Sequence, residues 1–241
     1  MSLNISNSVE AIKSLDDIKN AFYINLEHRT DRKEHVEKEL EKIGIKAKRF
    51  NAIKMINGAI GCSMSHLKIL EDAKKNKLDH VLIVEDDITF LDSELFKNQI
   101  NKFLETHENN WDVILLAGNN MPPYEKIDDT CVKVSRCQTT TGYLVNGHYI
   151  NVLAANVKMG LTNLLNKPDE KSRYAIDKFW FVLQGASKWY LIIPLTVVQR
   201  EDYSDIEQKV INYQDMMQDL DKAKLFKAIK EMRQKGLIKN K

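Results

Sequence analysis

Short apolar runs alternate with amphipathic stretches along the first half of the chain. Predicted strands cover Ala21 to Leu26, Lys48 to Ala52, Val81 to Val84 and Val113 to Leu116. Between these strands, apolar residues recur at the spacing of one helix face. Predicted helices run from Thr30 to Ile43, from Gly61 to about Lys77 and from Leu95 to Leu104. This alternation predicts an α/β fold with a mostly parallel central sheet and helices on both faces.

The second half of the chain has a more mixed pattern. Predicted strands cover Val132 to Val134, Tyr143 to Val145 and, as the last strand, Lys188 to Ile193. Predicted helices cover Ile150 to Leu165 and Asp205 to about Arg233. We therefore divide the chain into an N-terminal leader (residues 1–19), one domain (residues 20–206) and a C-terminal amphipathic, basic helix (residues 207–241).

Composition narrows the classes of function. The formal net charge of +2 gives no overall attraction to nucleic acid, so we expect no nucleic-acid partner. The three cysteines lack the spacing of a metal finger, and no secretory signal precedes them, which favours a cytoplasmic protein. No apolar stretch approaches the roughly 20 residues that cross a bilayer. Partners are therefore expected to be selected by a local site.

An acidic triplet, Glu85-Asp86-Asp87, directly follows the predicted strand Val81 to Val84. Residues at i and i+2 of an extended segment project to the same side, so we expect Glu85 and Asp87 to converge while Asp86 turns elsewhere. Open α/β sheets bind ligands at the carboxyl ends of their strands. A hard divalent ion relieves the repulsion between adjacent carboxylates. The triplet predicts a site for Mn²⁺ or Mg²⁺ and phosphate; the alternative is an acidic turn that caps the next helix.

Two arginines lie where the first predicted strand meets the next helix. Arg29 and Arg32 follow the strand-end residues Asn25 and Leu26. A guanidinium forms paired, charge-assisted hydrogen bonds with phosphate oxygens, and a helix N-terminus attracts anions. The segment is therefore a candidate diphosphate site. The alternative is a pair of surface arginines bonded to neighbouring acids such as Asp31.

Three further segments offer polar groups. Gly61 lets a ligand come close to the backbone, and Ser65 and His66 supply compact hydrogen-bonding groups. The alternative for His66 is a buried structural role. Thr141 begins the segment Thr141-Gly142-Tyr143, whose hydroxyl and aromatic groups are candidates to bind a sugar. The alternative is that these residues only reflect β-propensity at the start of a strand. Asp177 lies among aromatic residues in the sequence. Burial among them would raise the pKa of its carboxyl group and suit it to act as a general base. The alternative is that Asp177 caps a helix.

Taken together, these segments resemble glycosyltransferase family 25. The resemblance covers about residues 20–206 and lies in the order and spacing of six motifs. They are Tyr23-Ile24-Asn25-Leu26 with Arg29 and Arg32, Gly61-Cys62 with Ser65-His66, Val84-Glu85-Asp86-Asp87, Trp111 to Gly118, Thr141-Gly142-Tyr143 and Ser204-Asp205-Ile206.

The resemblance implies a GT-A-like fold that binds a nucleotide-sugar, usually a UDP-sugar, together with Mn²⁺ and inverts the anomeric centre. In that picture Glu85 and Asp87 hold the ion, which neutralises the departing diphosphate. Asp177 is the candidate base, with Asp112 and Asp205 as rivals. The implied cofactor-binding set is Asn25, Leu26, Arg29, Arg32, Gly61, Ser65, His66, Glu85, Asp86 and Thr141.

The implied activity is transfer of a sugar to a glycan or to a hydroxyl-bearing polypeptide. The alternative is a catalytically silent nucleotide- or glycan-binding module of the same fold. The basic tail adds one further partner. Its apolar stripe of Leu225, Ile229 and Met232 predicts weak membrane-surface contact, unless the helix is solvated and packs on the domain.

Overall fold

An eight-stranded sheet forms the centre of the computed structural model, which describes residues 11–204 and 209–234. The strands in chain order are β1 Ala21–Asn25, β2 Lys48–Asn51, β3 His80–Glu85, β4 Ile88–Phe90, β5 Val113–Leu115, β6 Asn119–Asn120, β7 Glu125–Lys126, β8 Cys131–Lys133, β9 Cys137–Gln138, β10 Gly142–Asn146, β11 Trp189–Ile192, β12 Val197–Gln199, β13 Asp202–Ser204 and β14 Lys209–Ile211. The strand order of the central sheet is β2-β1-β3-β10-β5-β11-β8-β7. Only β10 and β8 run against the direction of the other six strands.

Helices cover both faces of this sheet. They are α1 Thr30–Lys42, α2 Gly58–Lys75, α3 Ser93–His107, α4 Ile150–Asn166, α5 Lys171–Tyr174, α6 Ile176–Phe179, α7 Phe181–Ala186, α8 Gln214–Gln218 and α9 Ala223–Gln234. Alternate side chains of β3 point to opposite faces. Leu82 and Val84 pack in the core that includes α1 and α3, whereas Val81 and Ile83 pack in the core that includes α2 and α4. The predicted α/β class, with a mostly parallel sheet and helices on both faces, is confirmed.

The C-terminal region differs from the prediction of one continuous helix. The predicted helix from Asp205 to about Arg233 is replaced in the described residues by β14, α8 and α9. Lys222 has a φ of 56°, which a helix interior does not permit. The Asp219 carboxylate then accepts hydrogen bonds from the first amides of α9, at Ala223 and Lys224. Because the apolar residues keep a helical spacing across this break, the pattern alone did not reveal it.

The predicted last strand is also wrong, and part of the predicted leader lies within the described residues. β11 is not the last strand, because β12 follows it and pairs with β4. At the N-terminus, the residues described from position 11 onward pack on the domain, with Ile12, Leu15 and Ile18 buried in the core shared with α3. The division of the chain into leader, domain and tail stays a prediction.

Two global features bear on the sequence expectations. Cys62, Cys131 and Cys137 are all free thiols. In the part of the chain that the structure describes, no helix combines the length and apolar character needed to span a bilayer.

Candidate functional site

Three chain segments meet at one edge of the sheet. β1 and β3 are parallel neighbours, with Ile24 opposite Glu85, so Asn25 and the acidic triplet emerge together. β10 runs antiparallel beside β3, and its first residues therefore lie at the same edge. The Glu85 amide donates to the Thr141 carbonyl at 2.9 Å, which fixes this junction. The carboxyl edge thus collects acids, amides and hydroxyls.

Two cavities flank Glu85. The first, the arginine cavity, has a volume of about 370 Å³ and is lined by Arg29, Arg32 and the acidic triplet, among others. The second, the threonine cavity, has a volume of about 340 Å³ and is lined by Thr139, Thr140 and Asp177, among others. The residues that line both are Cys62, Glu85, Gln199 and Tyr213. The carboxyl group of Glu85 is therefore common to both cavities.

The arginine cavity combines both signs of charge. Its cationic lining residues are Arg29, Arg32, Lys54 and Arg200, and its acids are Glu85, Asp86 and Asp87. Asn25 and Leu26 also line it, as predicted for the end of β1. Arg29 forms two hydrogen bonds with Asp31, both at 3.0 Å. The local ion pair that we considered as an alternative is therefore present, although Arg29 still faces the cavity.

Arg32 and Asp86 form the side of the site nearest α1. Arg32 donates to Asp86 Oδ1 at 3.0 Å, and Asn25 donates to Asp86 Oδ2 at 2.8 Å. Burial raises the pKa of Asp86 despite these two partners. The expectation that Asp86 turns away from its neighbours is wrong, because the turn after β3 leaves all three acids lining one cavity. The reading of the triplet as a helix cap is also wrong, since Asp92 caps α3.

Asp87 is the least satisfied acid of the triplet. Its Oδ1 atom is buried without a hydrogen-bond partner, and its Oδ2 atom lies 3.7 Å from Arg32. Burial and the nearby charge of Glu85 raise the pKa of Asp87 to about 8. A buried carboxylate oxygen without a donor is costly. The position therefore suits a cation, which would supply the missing partner.

Glu85 is held by three side chains, all at the same oxygen. Oε1 accepts from Thr140 at 2.8 Å, and it also contacts His66 Nε2 at 3.3 Å and Cys62 Sγ at 3.5 Å. Burial alone would raise the pKa of Glu85, but these hydrogen bonds outweigh burial, and the pKa lies below its usual value. Glu85 is thus held ionised, whereas burial and the charge of Glu85 raise the pKa of the neighbouring Asp87.

The predicted residues at the start of α2 lie at different depths. Gly61 and Ser65 line the arginine cavity, and both also lie against Ile53 in the loop before the helix. The Ser65 hydroxyl accepts from the Ile53 amide at 2.9 Å, and a Cβ on Gly61 would lie 2.4 Å from the Ile53 carbonyl oxygen. His66 is fully buried behind Glu85 and is not among the residues lining either cavity.

Asp177 lies in the threonine cavity, on the short helix α6. Its carboxylate accepts from the Thr139 amide at 3.2 Å and lies 3.6 Å from Lys178 Nζ. Burial raises the pKa of Asp177, and the charge of Glu85 raises it further. The predicted residue Thr141 is fully buried, and its neighbour Thr140 lines the cavity instead.

Of the two rival bases, Asp112 lies away from the cavities. Asp112 immediately precedes β5 and is therefore at the opposite edge of the sheet, where it pairs with His148 at 2.7 Å. Its other oxygen accepts from the Lys188 amide at 2.8 Å. We do not retain Asp112 as a candidate base for this reason. Asp205 lies outside the described residues.

Residues from three distant segments complete the site, and sequence reasoning singled out two of these segments, residues 139–143 and 199–206, but not the third. Thr140 contacts Glu85 directly, and Tyr143 contacts His66 at 2.8 Å. Gln199 and Tyr213 line both cavities, and the Arg200 amide donates to the Asp87 carbonyl at 2.8 Å. Gln199 and Arg200 belong to the polar segment 199–206, which follows the predicted last strand and which the sequence indicates as a segment that closes over a bound ligand. No pattern in the sequence pointed to Tyr213.

Two groups in the described residues bring three metal-ligating atoms within 4.8 Å of one another. One is Cys62, His66 and Glu85, which adjoins the cavities. The other is His107, Asp128 and Cys131, in which His107 pairs with Asp128 at 2.8 Å. Asp87 belongs to neither group, although its own environment favours a cation as described above.

Sequence comparison relates the chain to known proteins. A sequence model described as glycosyltransferase family 25 (LPS biosynthesis protein) matches residues 54–160. Procollagen galactosyltransferase 1-B of Xenopus laevis is 27% identical over 150 residues, which are 49% of this chain and 24% of that protein. A rat protein named probable inactive glycosyltransferase 25 family member 3 is 30% identical over 76 residues, which are 30% of this chain and 13% of that protein. The chain therefore spans about a quarter or less of these relatives.

Structural comparison gives a more distant similarity. A glycosyltransferase involved in glycosylation of the major capsid of PBCV-1 aligns with 12% identity and a TM-score of 0.45. The alignment covers 83% of this chain and 88% of that chain.

Proposed function

We propose that this chain, whose resemblance to glycosyltransferase family 25 is confirmed by the sequence comparisons, is a metal-dependent, inverting glycosyltransferase. It would transfer a sugar from a nucleotide-sugar, by preference a UDP-sugar, to a hydroxyl of a glycan or polypeptide. The single observation that carries the proposal is the pair of cavities that meet at Glu85. One has the charges to bind a diphosphate and a cation, and the other offers hydroxyls and a buried acid.

The residues of the arginine cavity fit a divalent cation. Asp87 Oδ1 is buried without a partner, and the raised pKa of Asp87 reflects burial followed by repulsion from Glu85. Carboxylate oxygens are the ligands of Mn²⁺ and Mg²⁺. Glu85 and Asp87 would hold the ion. When bound, it would stabilise the negative charge that develops on the departing diphosphate.

The basic residues of the same cavity would bind the rest of the donor. Arg29 and Arg32 are positioned at the end of β1 and the start of α1. Planar guanidinium groups bind phosphate oxygens with two parallel hydrogen bonds. Arg32 is already held by Asp86 at 3.0 Å, so its orientation is fixed before the donor arrives. Asn25 supports this arrangement, because it donates to the other oxygen of Asp86.

Asp177 would act as the general base in the threonine cavity. Its carboxylate would take the proton of the acceptor hydroxyl as the acceptor oxygen forms a bond to the anomeric carbon. The bond from that carbon to the diphosphate oxygen breaks in the same step, and the nucleoside diphosphate leaves. Attack from the face opposite the leaving group inverts the anomeric centre. The raised pKa of Asp177, caused first by burial, supports this role because a base works best with a pKa near the operating pH.

A donor screen tests the proposal. The purified chain would be incubated with UDP-, GDP- and dTDP-sugars, with and without Mn²⁺, while nucleotide release and donor binding are measured. We expect Mn²⁺-dependent release or binding with one nucleotide class, and its loss in Asp87→Ala. Absence of both turnover and metal-dependent binding across the panel would refute the proposal.

The alternative is a silent binding module, and the name of the rat relative gives it a specific basis. It predicts tight nucleotide binding by calorimetry with no transfer to any acceptor. Asp87, Asp177 and Arg32 are all present at the cavities, which favours the enzyme. Transfer that disappears in Asp177→Asn while donor binding persists would exclude the silent module.

Membrane-surface contact by α9 is a separate proposal about partners. Residues 222–241 carry eight Lys or Arg and one Glu, a net charge of +7, so the remaining residues carry −5 of the chain's total of +2. Phe226 and Met232 are exposed on α9. A basic helix with exposed apolar side chains suits an anionic lipid surface. Sedimentation with phosphatidylglycerol liposomes, compared with a chain shortened to residue 221, tests this contact.

A further inference from the structure

The two oxygens of the Glu85 carboxylate have unequal environments. Oε1 is within hydrogen-bond distance of Thr140, His66 and Cys62. Among the described residues, none donates a hydrogen bond to Oε2. An oxygen of a carboxylate has two lone pairs, and because the Cys62 thiol is a weak donor, Thr140 and His66 are the two donors that fill those of Oε1. Because Glu85 lines both cavities, Oε2 is the oxygen left for a ligand.

His66 is the most buried of the three donors. Its Nε2 atom lies 3.3 Å from Glu85 Oε1, and its Nδ1 atom lies 2.8 Å from the Tyr143 hydroxyl. An ionised carboxylate only accepts, so Nε2 carries a proton in this contact. Nδ1, the other ring nitrogen, then accepts the hydrogen of the Tyr143 hydroxyl. One proton arrangement therefore satisfies both contacts.

The surrounding core fixes this pair of rings. His66 and Tyr143 are both fully buried, and their rings stack at a centroid distance of 5.6 Å. The rings of Trp180 and Tyr143 pack edge to face with their centroids 5.6 Å apart, and the indole nitrogen of Trp180 donates to the Cys137 carbonyl at 3.0 Å. Each ring is therefore held by packing as well as by a hydrogen bond. Neither His66 nor Tyr143 lines a cavity, so a direct ligand contact is not available to them.

We infer that Tyr143 and His66 form a buried positioning relay, in which Tyr143 fixes His66, and His66 holds Glu85 Oε1 so that Oε2 alone is presented to the ligand. The relay deepens the proposed function and rests on it, since the ligand in question is the divalent cation. His66 is thereby a positioning residue that acts through Glu85. Side chains that orient a metal ligand in this way typically contribute about 10- to 100-fold to metal affinity.

Two isosteric substitutions separate the two contacts of His66. In His66→Gln the side-chain amide nitrogen replaces Nε2 and can still donate to Glu85, but the contact with Tyr143 is lost. In His66→Asn the amide replaces Nδ1, so the contact with Tyr143 can persist while Glu85 loses its donor. Each variant loses one buried hydrogen bond, and asparagine, which is one methylene shorter than glutamine, also leaves the larger cavity at this buried position.

The affinity of the full chain for Mn²⁺ alone would be measured by titration, following the electron paramagnetic resonance signal of free Mn²⁺. We expect His66→Gln to bind within about threefold of the wild type and His66→Asn to bind at least about tenfold more weakly. Thermal unfolding checks that both variants fold alike. Equal Mn²⁺ affinity in the two variants, or weaker binding by His66→Gln, would overturn the relay.

A second measurement does not depend on the metal. Nitrogen-15 NMR of histidine-labelled protein reports which ring nitrogen carries the proton. We expect His66 to be protonated at Nε2 in the wild type, with a changed Nδ1 shift in Tyr143→Phe. A proton on Nδ1 alone would overturn the relay even if Mn²⁺ binds. Conversely, a wild type that binds no Mn²⁺ but has the expected tautomer would refute the metal in the proposed function and leave the relay standing.

Discussion

Replacing Asp87 by asparagine should stabilise the metal-free protein, with an effect that grows with pH. The pKa of Asp87 is raised to about 8, first by burial and then by Glu85, whereas an unfolded chain titrates near 3.8. Below about pH 4 both states hold the proton, and Asp87 costs nothing. Between the two values the folded state retains a proton that the unfolded state releases, so stability is lost as pH rises. Asparagine carries no such charge and escapes this loss.

The size of the effect follows from the two pKa values. Each tenfold difference in acidity corresponds to ~1.4 kcal/mol, and pH 5 to pH 8 spans three such steps, so the wild type should lose up to about 4 kcal/mol relative to Asp87→Asn. The side chain is 17% exposed, so solvent screening reduces this figure only modestly. Arg32, 3.7 Å from Asp87, loses one partner in the variant but keeps Asp86 at 3.0 Å.

Urea unfolding in EDTA at pH 5, 6, 7 and 8 measures the difference directly. Glu94→Gln is the matched control, because it makes the same acid-to-amide change at a side chain that is 73% exposed. Saturating Mn²⁺ should reverse the order of stability at pH 8, since only the wild type would gain from the ion by mass action. A constant separation between wild type and Asp87→Asn from pH 5 to pH 8 would refute the reasoning.

Three further predictions concern single substitutions. Asp177→Asn should lower kcat by about 10²- to 10⁴-fold with little change in donor KM, because Asp177 lies in the threonine cavity and not with the arginines; a larger change in KM than in kcat would contradict its role as base. Gly61→Ala should lower stability by about 1–3 kcal/mol in thermal unfolding, since its Cβ would lie 2.4 Å from the Ile53 carbonyl oxygen, whereas Gly185→Ala, with nothing within 4 Å, should not. Burial opposes ionisation of Asp128, but hydrogen bonds from Thr130 and His107 outweigh it and lower its pKa to about 2; Asp128→Asn should therefore cost about 1 kcal/mol at pH 7, and this difference should vanish as pH falls through 2.

The first half of the fold was predictable because its signals are local. Each strand there is a short apolar run, and each helix presents one apolar face to a single core. The helix from Thr30 follows directly from this pattern, and β3 ends at Glu85, one residue beyond the predicted end at Val84. The position of the acids at the carboxyl edge also follows, since consecutive β-α-β units make β1 and β3 parallel, although their direct pairing comes from the strand order β2-β1-β3.

The partners of Glu85 were harder to predict, because their contacts join distant segments. Thr140 lies 55 residues from Glu85, and His66 lies 77 residues from Tyr143. His66 and Thr141 were candidates from their residue types. Only the packing of α2 against the sheet shows that they are buried and do not line a cavity. Residue type and local spacing carry no information on that depth.

The antiparallel strand β10 explains why the threonine segment reaches the site at all. A sheet built only from β-α-β units would put β5 beside β3, and every strand would contribute its carboxyl end to the ligand edge. Here β10 is inserted between β3 and β5 in the reverse direction, so its amino end lies at that edge. Residues that precede a strand, such as Thr140, therefore meet residues that follow one, such as Glu85. Reversal of β10 therefore brings the Thr140 hydroxyl to Oε1 of Glu85, an acid that would otherwise lie among acids and arginines. The other oxygen, Oε2, is left for a ligand.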